Sequence, residues 1–471
     1  MHSRTNKLLL INPWIYDFTA YDLWSQPLGL LYLASFLRHC GYDISYIDCL
    51  ADGGDPPARQ RRKFGSGNYR REIVEKPPVL EDIPRKFARY GMSEQEFLRQ
   101  IKESPSPDAV LVTTVMTYWY PGPRHVVELI RQVYPDVPVI LGGIYATLMP
   151  EHAKQNVKAD YIITGPGEQK ILALLSELLG NNPAEAFPHD QLDAYPYPAF
   201  DLIPELHYLC IMTARGCPFN CSFCAQKQIA LPFTQREPQA VVREIQANYQ
   251  QYRKRDFAFY DDALFINKER HIKEILKGII QLRSALRFHT PNGLFAGDID
   301  PELAQLLFKA NFKTIRLSFE TANEQRRKDM FNKISNNEMV SAVQNLQQAG
   351  YLAKDLEAYI IMGLPQQTLD EVIESMLFVN NLGVRIKLAS YSPIPGTLDF
   401  QRAVDAGMIQ PDIDPLLTNK TIFPLKNTDL DYDTFRKVRI FGQLLNEGAE
   451  KDLRLFGNNA IGRSLKNILE N

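Results

Sequence analysis

Residues 214–224 read Ala214-Arg-Gly-Cys217-Pro-Phe-Asn-Cys221-Ser-Phe-Cys224. Three of the six cysteines fall here, spaced C-x3-C-x2-C. The stretch follows an apolar run, Tyr208–Thr213, that reads as a strand, and a helical pattern, Pro238–Tyr252, comes after it. It is therefore a loop between strand and helix. In a barrel of βα units such loops gather at the C-terminal mouth, where active sites are built. Thiolates hold iron–sulfur cubanes, commonly four to a cluster. Only three lie close here, and no CxxC or HxxxH follows to complete a tetrahedral zinc site. A cubane on Cys217, Cys221 and Cys224 leaves one iron open. Cys40, Cys49 and Cys210 are expected as buried thiols.

Downstream, strand-like runs alternate with helical patterns, which points to parallel βα units. The candidate strands are Tyr208–Thr213, Asp256–Tyr260, Arg287–Pro291, Thr314–Phe319, Glu357–Met362 and Ile386–Ser390. The candidate helices include Pro238–Tyr252, Lys268–Leu282, Pro301–Ala310 and Asn337–Gly350. Six such strands predict an incomplete barrel over residues 207–405. Polar motifs stand at successive strand ends: Tyr260-Asp-Asp262, His289-Thr-Pro-Asn-Gly293, Ser318-Phe-Glu320, Ile361-Met-Gly-Leu-Pro365 and Tyr391-Ser-Pro-Ile-Pro-Gly-Thr397. Those ends converge on one space. His289 is the histidine expected to face it, whereas His39, His125, His152 and His271 fall in helical stretches and read as surface or satisfied core residues.

Upstream, the same alternation predicts a doubly wound sheet of five strands within residues 1–185. The strands are Lys7–Ile11, Asp43–Ile47, Ala109–Val115, Val137–Leu141 and Tyr161–Thr164. Helices are expected at Leu28–His39, Pro123–Val133, Pro150–Gln155 and Gly167–Leu179. Residues 50–105 break the rhythm with charge, Pro and Gly and read as an insertion, its basic run Arg59–Lys63 a solvated face. Residues 186–206 read as a linker, and 406–471 as a helical C-terminal region. The fold class is thus α/β: a Rossmann-like sheet, then a partial six-stranded barrel.

The chain has 471 residues, 45% hydrophobic and 23% charged, which fits a globular protein of two or three domains. Its 53 basic and 55 acidic residues give a net charge of −2, so no global field favours nucleic acid or anionic lipid. No apolar run approaches the roughly 20 residues that span a bilayer. The N-terminal apolar stretch ends in Asn12-Pro13 and reads as a first strand, not a signal peptide. A cytoplasmic location is expected.

The cysteine stretch resembles the radical S-adenosylmethionine superfamily, whose signature is C-x3-C-x-aromatic-C, with Phe223 in the aromatic position. The resemblance implies a [4Fe–4S] cluster whose open iron binds the amino and carboxylate groups of S-adenosylmethionine. One electron, from a donor such as a flavodoxin or ferredoxin, then yields the 5′-deoxyadenosyl radical. Matching strand ends offer Phe223, Asp261, Asp262, Asn292, Ser318, Glu320 and Met362 as groups around S-adenosylmethionine. Asp262 reads equally well as a helix N-cap.

Residues 7–180, apart from the insertion, resemble the cobalamin-binding domain of one branch of that superfamily. The matching pieces are Asn12-Pro13, Gln26-Pro-Leu-Gly-Leu-Leu-Tyr-Leu-Ala34, Gly41-Tyr42, Ile47-Asp48, Leu141-Gly-Gly143 with Ala146, and Thr164-Gly-Pro-Gly-Glu168. The resemblance offers Gln26, Leu28, Gly29, Thr113, Thr117, Tyr118, Gly142, Gly143, Gly165, Gly167 and Glu168 as cobalamin contacts. Gln26 stands where other cobalamin domains place a cobalt-ligating histidine, so a protein nitrogen on the lower cobalt face is not expected. Tyr118-Trp-Tyr120 either shields that face or forms a domain-interface patch.

The resemblance implies radical methyl transfer to an unactivated carbon of a small or medium organic substrate. Rearrangement, ring contraction or cyclisation, and methylation of an sp² carbon, are alternatives within the branch. A non-enzymatic cobalamin- or redox-sensing protein is the alternative from another class. A methylthiotransferase is disfavoured, because the N-terminal region holds only Cys40 and Cys49 rather than a second cysteine trio.

Overall fold

The computed structural model describes residues 5–51, 63–180, 190–229, 232–331, 334–427 and 430–450. The N-terminal sheet has strands β1 (Lys7–Asn12), β2 (Asp43–Asp48), β3 (Ala109–Val112), β4 (Val139–Leu141) and β5 (Tyr161–Ile162), in the order β5-β4-β3-β1-β2. Every pairing is parallel. The strands are near-continuous apolar runs because helices cover both faces. One face buries Leu8, Leu10, Phe36 and Leu175, the other Leu9, Ile11, Trp14 and Val126. The order reverses between β1 and β3, so the C-terminal ends of β3 and its neighbours open a crevice.

Segment 50–105 is more ordered than its composition suggests. Ala88–Tyr90 pairs antiparallel with Ile15–Asp17 and with Arg71–Ile73, and Gly67–Asn68 pairs with Tyr21–Asp22. The helix Glu94–Glu103 starts on a Ser93 cap that accepts from the Glu96 amide. The basic run 59–63 lies outside the described residues except for the backbone of Lys63.

The second sheet has six parallel strands in sequence order: β6 (Leu209–Ile211), β7 (Asp256–Phe259), β8 (Arg287–His289), β9 (Phe312–Glu320), β10 (Leu356–Met362) and β11 (Arg385–Ser390), with Leu294–Phe295 paired beside β9. It is an open, partial barrel. Side chains alternate between its faces. The helix side is a fully buried layer that includes Phe257, Phe288, Leu317, Leu356 and Ile360. Truncating one such phenylalanine costs about 3–5 kcal/mol.

The inner side is charged. Arg287 and His289 bond Asp256 at 2.7 and 3.0 Å, and Arg316 bonds Glu357 at 2.7 Å. Aromatics from the N-terminal half fill this interior. Trp24 stacks on His289 with centroids 4.6 Å apart, and Arg316 lies 5.6 Å from the Trp24 ring. Phe64 lies 5.2 Å under Arg287. Trp24 takes a positive φ of 63°, held by the Tyr260 hydroxyl and the Cys210 thiol, which donate to its carbonyl.

One C-terminal expectation is corrected. Between residues 406 and 431 the described chain forms only the short 3₁₀ turns Pro415–Thr418 and Lys420–Ile422, and the helix runs from Tyr432 to Glu450. Side-chain bonds from Asp414 and Asn419 to amides two residues on hold the turns, and such local bonding competes with a helix. Residues 451–471 lie outside the described part.

Candidate active site between the two parallel sheets

The cysteine loop leaves β6 and is clamped along its length. Both Asp261 carboxylate oxygens accept from the Thr213 amide, at 2.9 and 3.1 Å, and one also accepts from its hydroxyl at 2.7 Å. Arg215 pairs with Glu168 at 2.7 Å and lies over the Tyr32 and Tyr195 rings. Ser222 donates to Asp399 at 2.8 Å, and the Asp399 amide returns a bond to the Ser222 carbonyl. Phe223 packs against an apolar cluster that includes Ile361, Leu364 and Tyr391, at the ends of β10 and β11.

The three thiols are neighbours. Burial chiefly pushes Cys224 up to about 11, and Cys221 and Cys217 add to it, as does the facing Asp262 carboxylate. Among the described residues no three His, Cys, Asp or Glu converge on one metal ion. Three thiols on one loop, near enough for Cys217 and Cys221 to act on Cys224, supply the donor type that holds an iron–sulfur cubane. Cys224 is the exposed member.

Asp262 and Glu320 share one property: they are accessible, yet enclosed by protein. Asp262 follows the C-terminal end of β7, and Glu320 ends β9. Burial pushes Asp262 up to about 6 and Glu320 up to about 8. Glu320 sits at a register irregularity in β9 with a φ of 70°. Ser318 is tucked against Gly293, and the exposed Asn292 donates to the Tyr260 carbonyl at 2.8 Å.

Across from this loop lie the ends of β3, β4 and β5. Thr113, Gly142, Gly143, Gly165 and Gly167 come together there, all half-buried. Gly143 takes a φ of 99°, and a Cβ on it would lie 2.7 Å from the Thr114 amide nitrogen. Gly142 has its nearest Cβ neighbour 3.8 Å away. Val115, Met116 and Ile144 are exposed beside these glycines at 39%, 36% and 37%. An apolar rim around a glycine floor suits a large flat ligand. The helix Ile144–Leu148 touches Gln226–Ile229, the turn just after Cys224. The two sets of strand ends thus face one another.

Several expected contacts lie elsewhere. Asp261 is spent bracing Thr213. Met362 is fully buried with the helix-side layer. Glu168 is committed to Arg215. Thr117 and Tyr118 are buried, and their turn packs on Pro415–Thr418, so the aromatic run makes an interface. Gln26 donates to the Tyr208 carbonyl at the start of β6, and Leu28 packs in the barrel core, whereas Gly29 is exposed. His289 does not face the cavity: it is fully buried against Thr314, Asp256 and Trp24. His125 and His152 are bonded to Tyr16 and Tyr145, and Cys49 and Cys210 are buried.

Family comparison agrees with this geometry. The Radical SAM superfamily matches residues 211–379 and the B12 binding domain matches residues 86–175. The chain belongs to the cobalamin-binding radical S-adenosylmethionine enzymes. Its cofactors are a [4Fe–4S] cluster, S-adenosylmethionine and cobalamin. The fold resembles that of the radical S-adenosylmethionine methyltransferase TsrM from Kitasatospora setae, solved with cobalamin and [4Fe–4S] bound. The TM-score is 0.64 at 17% identity, over 86% of this chain and 76% of that one. The cobalamin-dependent radical enzyme OxsB aligns with a TM-score of 0.58 at 13% identity, over 94% of this chain and 61% of that one.

Among curated relatives of this cobalamin-binding radical enzyme, cytidylyl-2-hydroxyethylphosphonate methyltransferase of Streptomyces wedmorensis is 22% identical, over 87% of this chain and 84% of its own. The anaerobic magnesium-protoporphyrin IX monomethyl ester cyclase of Rubrivivax gelatinosus is 27% identical, over 64% and 59%. Sequence reading missed Thr213, Arg215, Ser222 and Asp399 as loop clamps. Arg215, two residues before Cys217, and Ser222, between Cys221 and Cys224, stood inside the recognised stretch, whereas Thr213 and Asp399 did not.

Proposed function

We propose that this enzyme is a radical methyltransferase that acts on an unactivated carbon of an organic substrate held between the two sheets. The observation that carries the reading is that the cysteine loop and the glycine-lined strand ends face one cleft, tied together by Arg215 and Glu168. The methyltransferase named above, which this chain matches over most of its length, supports it. When bound, the cluster with S-adenosylmethionine supplies a carbon radical and cobalamin supplies a methyl group.

In this reading Cys217, Cys221 and Cys224 hold the cluster. Asp262 faces the methionyl ammonium, and Ser318, Glu320 and Asn292 line the rest of that site. Phe223 backs it from the β10 and β11 ends. Thr113, Gly142, Gly143, Gly165 and Gly167 form the cobalamin floor, and Val115, Met116 and Ile144 its apolar rim. These residues orient the reactants a few ångströms apart and exclude water. A flavodoxin- or ferredoxin-type donor supplies the electron. The location is cytoplasmic in this reading, and no helix among the described residues is long and apolar enough to cross a membrane.

Cyclisation without methyl transfer is the second reading, and the similarity to the cyclase of Rubrivivax gelatinosus favours it. Anaerobic reconstitution with iron, sulfide and hydroxocobalamin tests the cofactor set. About four irons and one cobalt per chain are expected, with cleavage of S-adenosylmethionine on reduction. Transfer of deuterium from a methyl-labelled S-adenosylmethionine into product separates methylation from cyclisation. Four irons without cobalt would overturn the methyl-transfer reading.

A further inference from the structure

Asp17 ends the short strand Ile15–Asp17 and is only 1% exposed. Its two carboxylate oxygens serve different parts of the chain. Oδ2 accepts from the Trp119 indole at 2.7 Å. Oδ1 accepts from the Asn419 side-chain amide at 3.0 Å and the Thr421 hydroxyl at 3.2 Å. The backbone amides of Phe18 and Thr19, at 2.6 and 3.3 Å, complete the set on Oδ1. Asn419 is itself fully buried.

Each arm leads to one side of the cleft. Trp119 belongs to the turn after β3, and its amide donates to the Met116 carbonyl at 3.0 Å. Val115 and Met116 are the apolar rim beside the glycine floor. Asn419 belongs to the segment 415–423, whose Leu416 and Ile422 pack into the core of the N-terminal half. The same segment is fixed to the barrel mouth. Ser392, just past β11, donates to the Thr418 carbonyl at 2.6 Å. Phe423 packs on Gly363, just past β10. Tyr391, the neighbour of Ser392, shares an apolar cluster with Phe223 of the cysteine loop.

The position of this carboxylate has a mechanical consequence. β6 and β11 are the opposite edges of the barrel sheet. Arg215 and Glu168 tie the β6 edge to the end of β5. Asp17 ties the β11 edge to the end of β3. One tie leaves the two halves free to turn about it, and a second at the opposite edge removes that freedom. A buried carboxylate whose oxygens are filled by fixed donors is a rigid tie, because each donor left unpaired would be costly.

We infer that Asp17 is a positioning residue that sets the gap between the cluster and cobalamin. It acts through Trp119 on the cobalamin side and through Asn419 and Thr421 on the barrel side. The inference rests on the proposed function, which places the two cofactors across one cleft. Group transfer between them is sensitive to spacing on the ångström scale.

The test reads that spacing without turnover. The full chain is reconstituted with iron, sulfide and hydroxocobalamin, assayed for both metals, and reduced with dithionite. The reduced cluster and cob(II)alamin then each carry an unpaired electron. Pulsed electron paramagnetic resonance measures how far the cluster speeds the relaxation of cob(II)alamin, an effect that falls steeply with distance. The reference is the same protein with its cluster oxidised and diamagnetic. Wild type is expected to show one enhanced rate. Trp119→Phe and Asn419→Leu each cut one arm and are expected to lose it for a spread of slower rates, with wild-type iron and cobalt. Asp17→Ala is expected to do the same, and the two single-arm variants carry the test if it fails to fold. Lys273→Met breaks a buried pairing with Glu302 between outer helices and is expected to keep the wild-type rate. A wild-type rate in both single-arm variants, or the same loss in Lys273→Met, overturns this inference alone. A wild type that takes up no cobalt, or holds both cofactors without any enhancement, overturns the proposed function and this inference with it.

Discussion

The Glu168 carboxylate, at the start of the helix after β5, lies 2.7 Å from the Arg215 guanidinium, two residues before the first cluster cysteine. Their side chains are only 11% and 17% exposed. One ion pair therefore couples the position of the cysteine loop to the sheet that carries the glycines.

Removing one partner leaves the other charge half-desolvated. Glu168→Gln is expected to lower stability by about 2 kcal/mol, below the range for fully buried pairs. Arg215→Leu with Glu168→Leu should cost less than the sum of the single changes. Thermal unfolding of the four proteins reads the coupling. The iron content of the reconstituted single variants, and its loss rate in air, read the loop. Additive unfolding shifts with unchanged iron retention would reduce the pair to an ordinary surface bridge.

Cys224 is the exposed member of the trio, and Cys217 and Cys221 are its half-buried neighbours. Changing any one to Ala leaves two thiolates, too few to keep a cubane with an open iron. Each variant is expected to lose nearly all its iron and the cluster absorption while keeping wild-type cobalt, because the glycine floor lies on the other sheet. Simultaneous loss of cobalt would show that cobalamin needs the clamped loop.

Some of this was readable in one dimension. Helix Leu28–His39 has the predicted bounds because an apolar stripe and a final Arg38-His39 mark it. Helix Pro238–Tyr252 likewise matches, with Pro at its first position. The cysteine motif was readable because its spacing is local. The clamps were not, since Ser222 and Asp399, or Arg215 and Glu168, meet only after the sheets are built. Asp261 and Met362 misled for a related reason. A residue at a strand end can turn toward the mouth, the helices or a neighbouring loop, and tertiary packing chooses. The pairing of Ile15–Asp17 with Ala88–Tyr90 escaped because three-residue strands carry too little periodicity to register.

Two adjacent glycines should answer to substitution in opposite ways. Gly143 holds a φ of 99°, and a Cβ there would collide with Thr114. Gly143→Ala is expected to cost about 2 kcal/mol or more from strain alone. Gly142→Ala meets nothing closer than the Ile163 carbonyl at 3.8 Å, so its melting temperature should stay near wild type. Its methyl group would project into the space assigned to cobalamin, so bound cobalt should fall. Wild-type cobalt in Gly142→Ala would move the cofactor away from this floor.

Glu320 supplies a pH signature. Its ordinary carboxyl value is 4.5, and burial lifts it to about 8. Below about pH 8 the group is therefore mostly protonated and neutral in the folded protein. S-adenosylmethionine is cationic at sulfur, so its binding beside Glu320 favours the ionised form. Linkage then requires affinity to rise with pH, by at most tenfold per unit, and to level off above about 8. Glu320→Gln should remove that slope. The same shift predicts a stability effect of the opposite sense. Between about pH 4.5 and 8 the unfolded chain has given up this proton and the folded chain has not, so this group's contribution weakens as pH rises. Glu320→Gln should then gain stability relative to wild type as pH approaches 8, read as a melting-temperature difference across that window. A pH-independent affinity in wild type together with an unchanged melting difference would place Glu320 outside the ligand site and in contact with solvent.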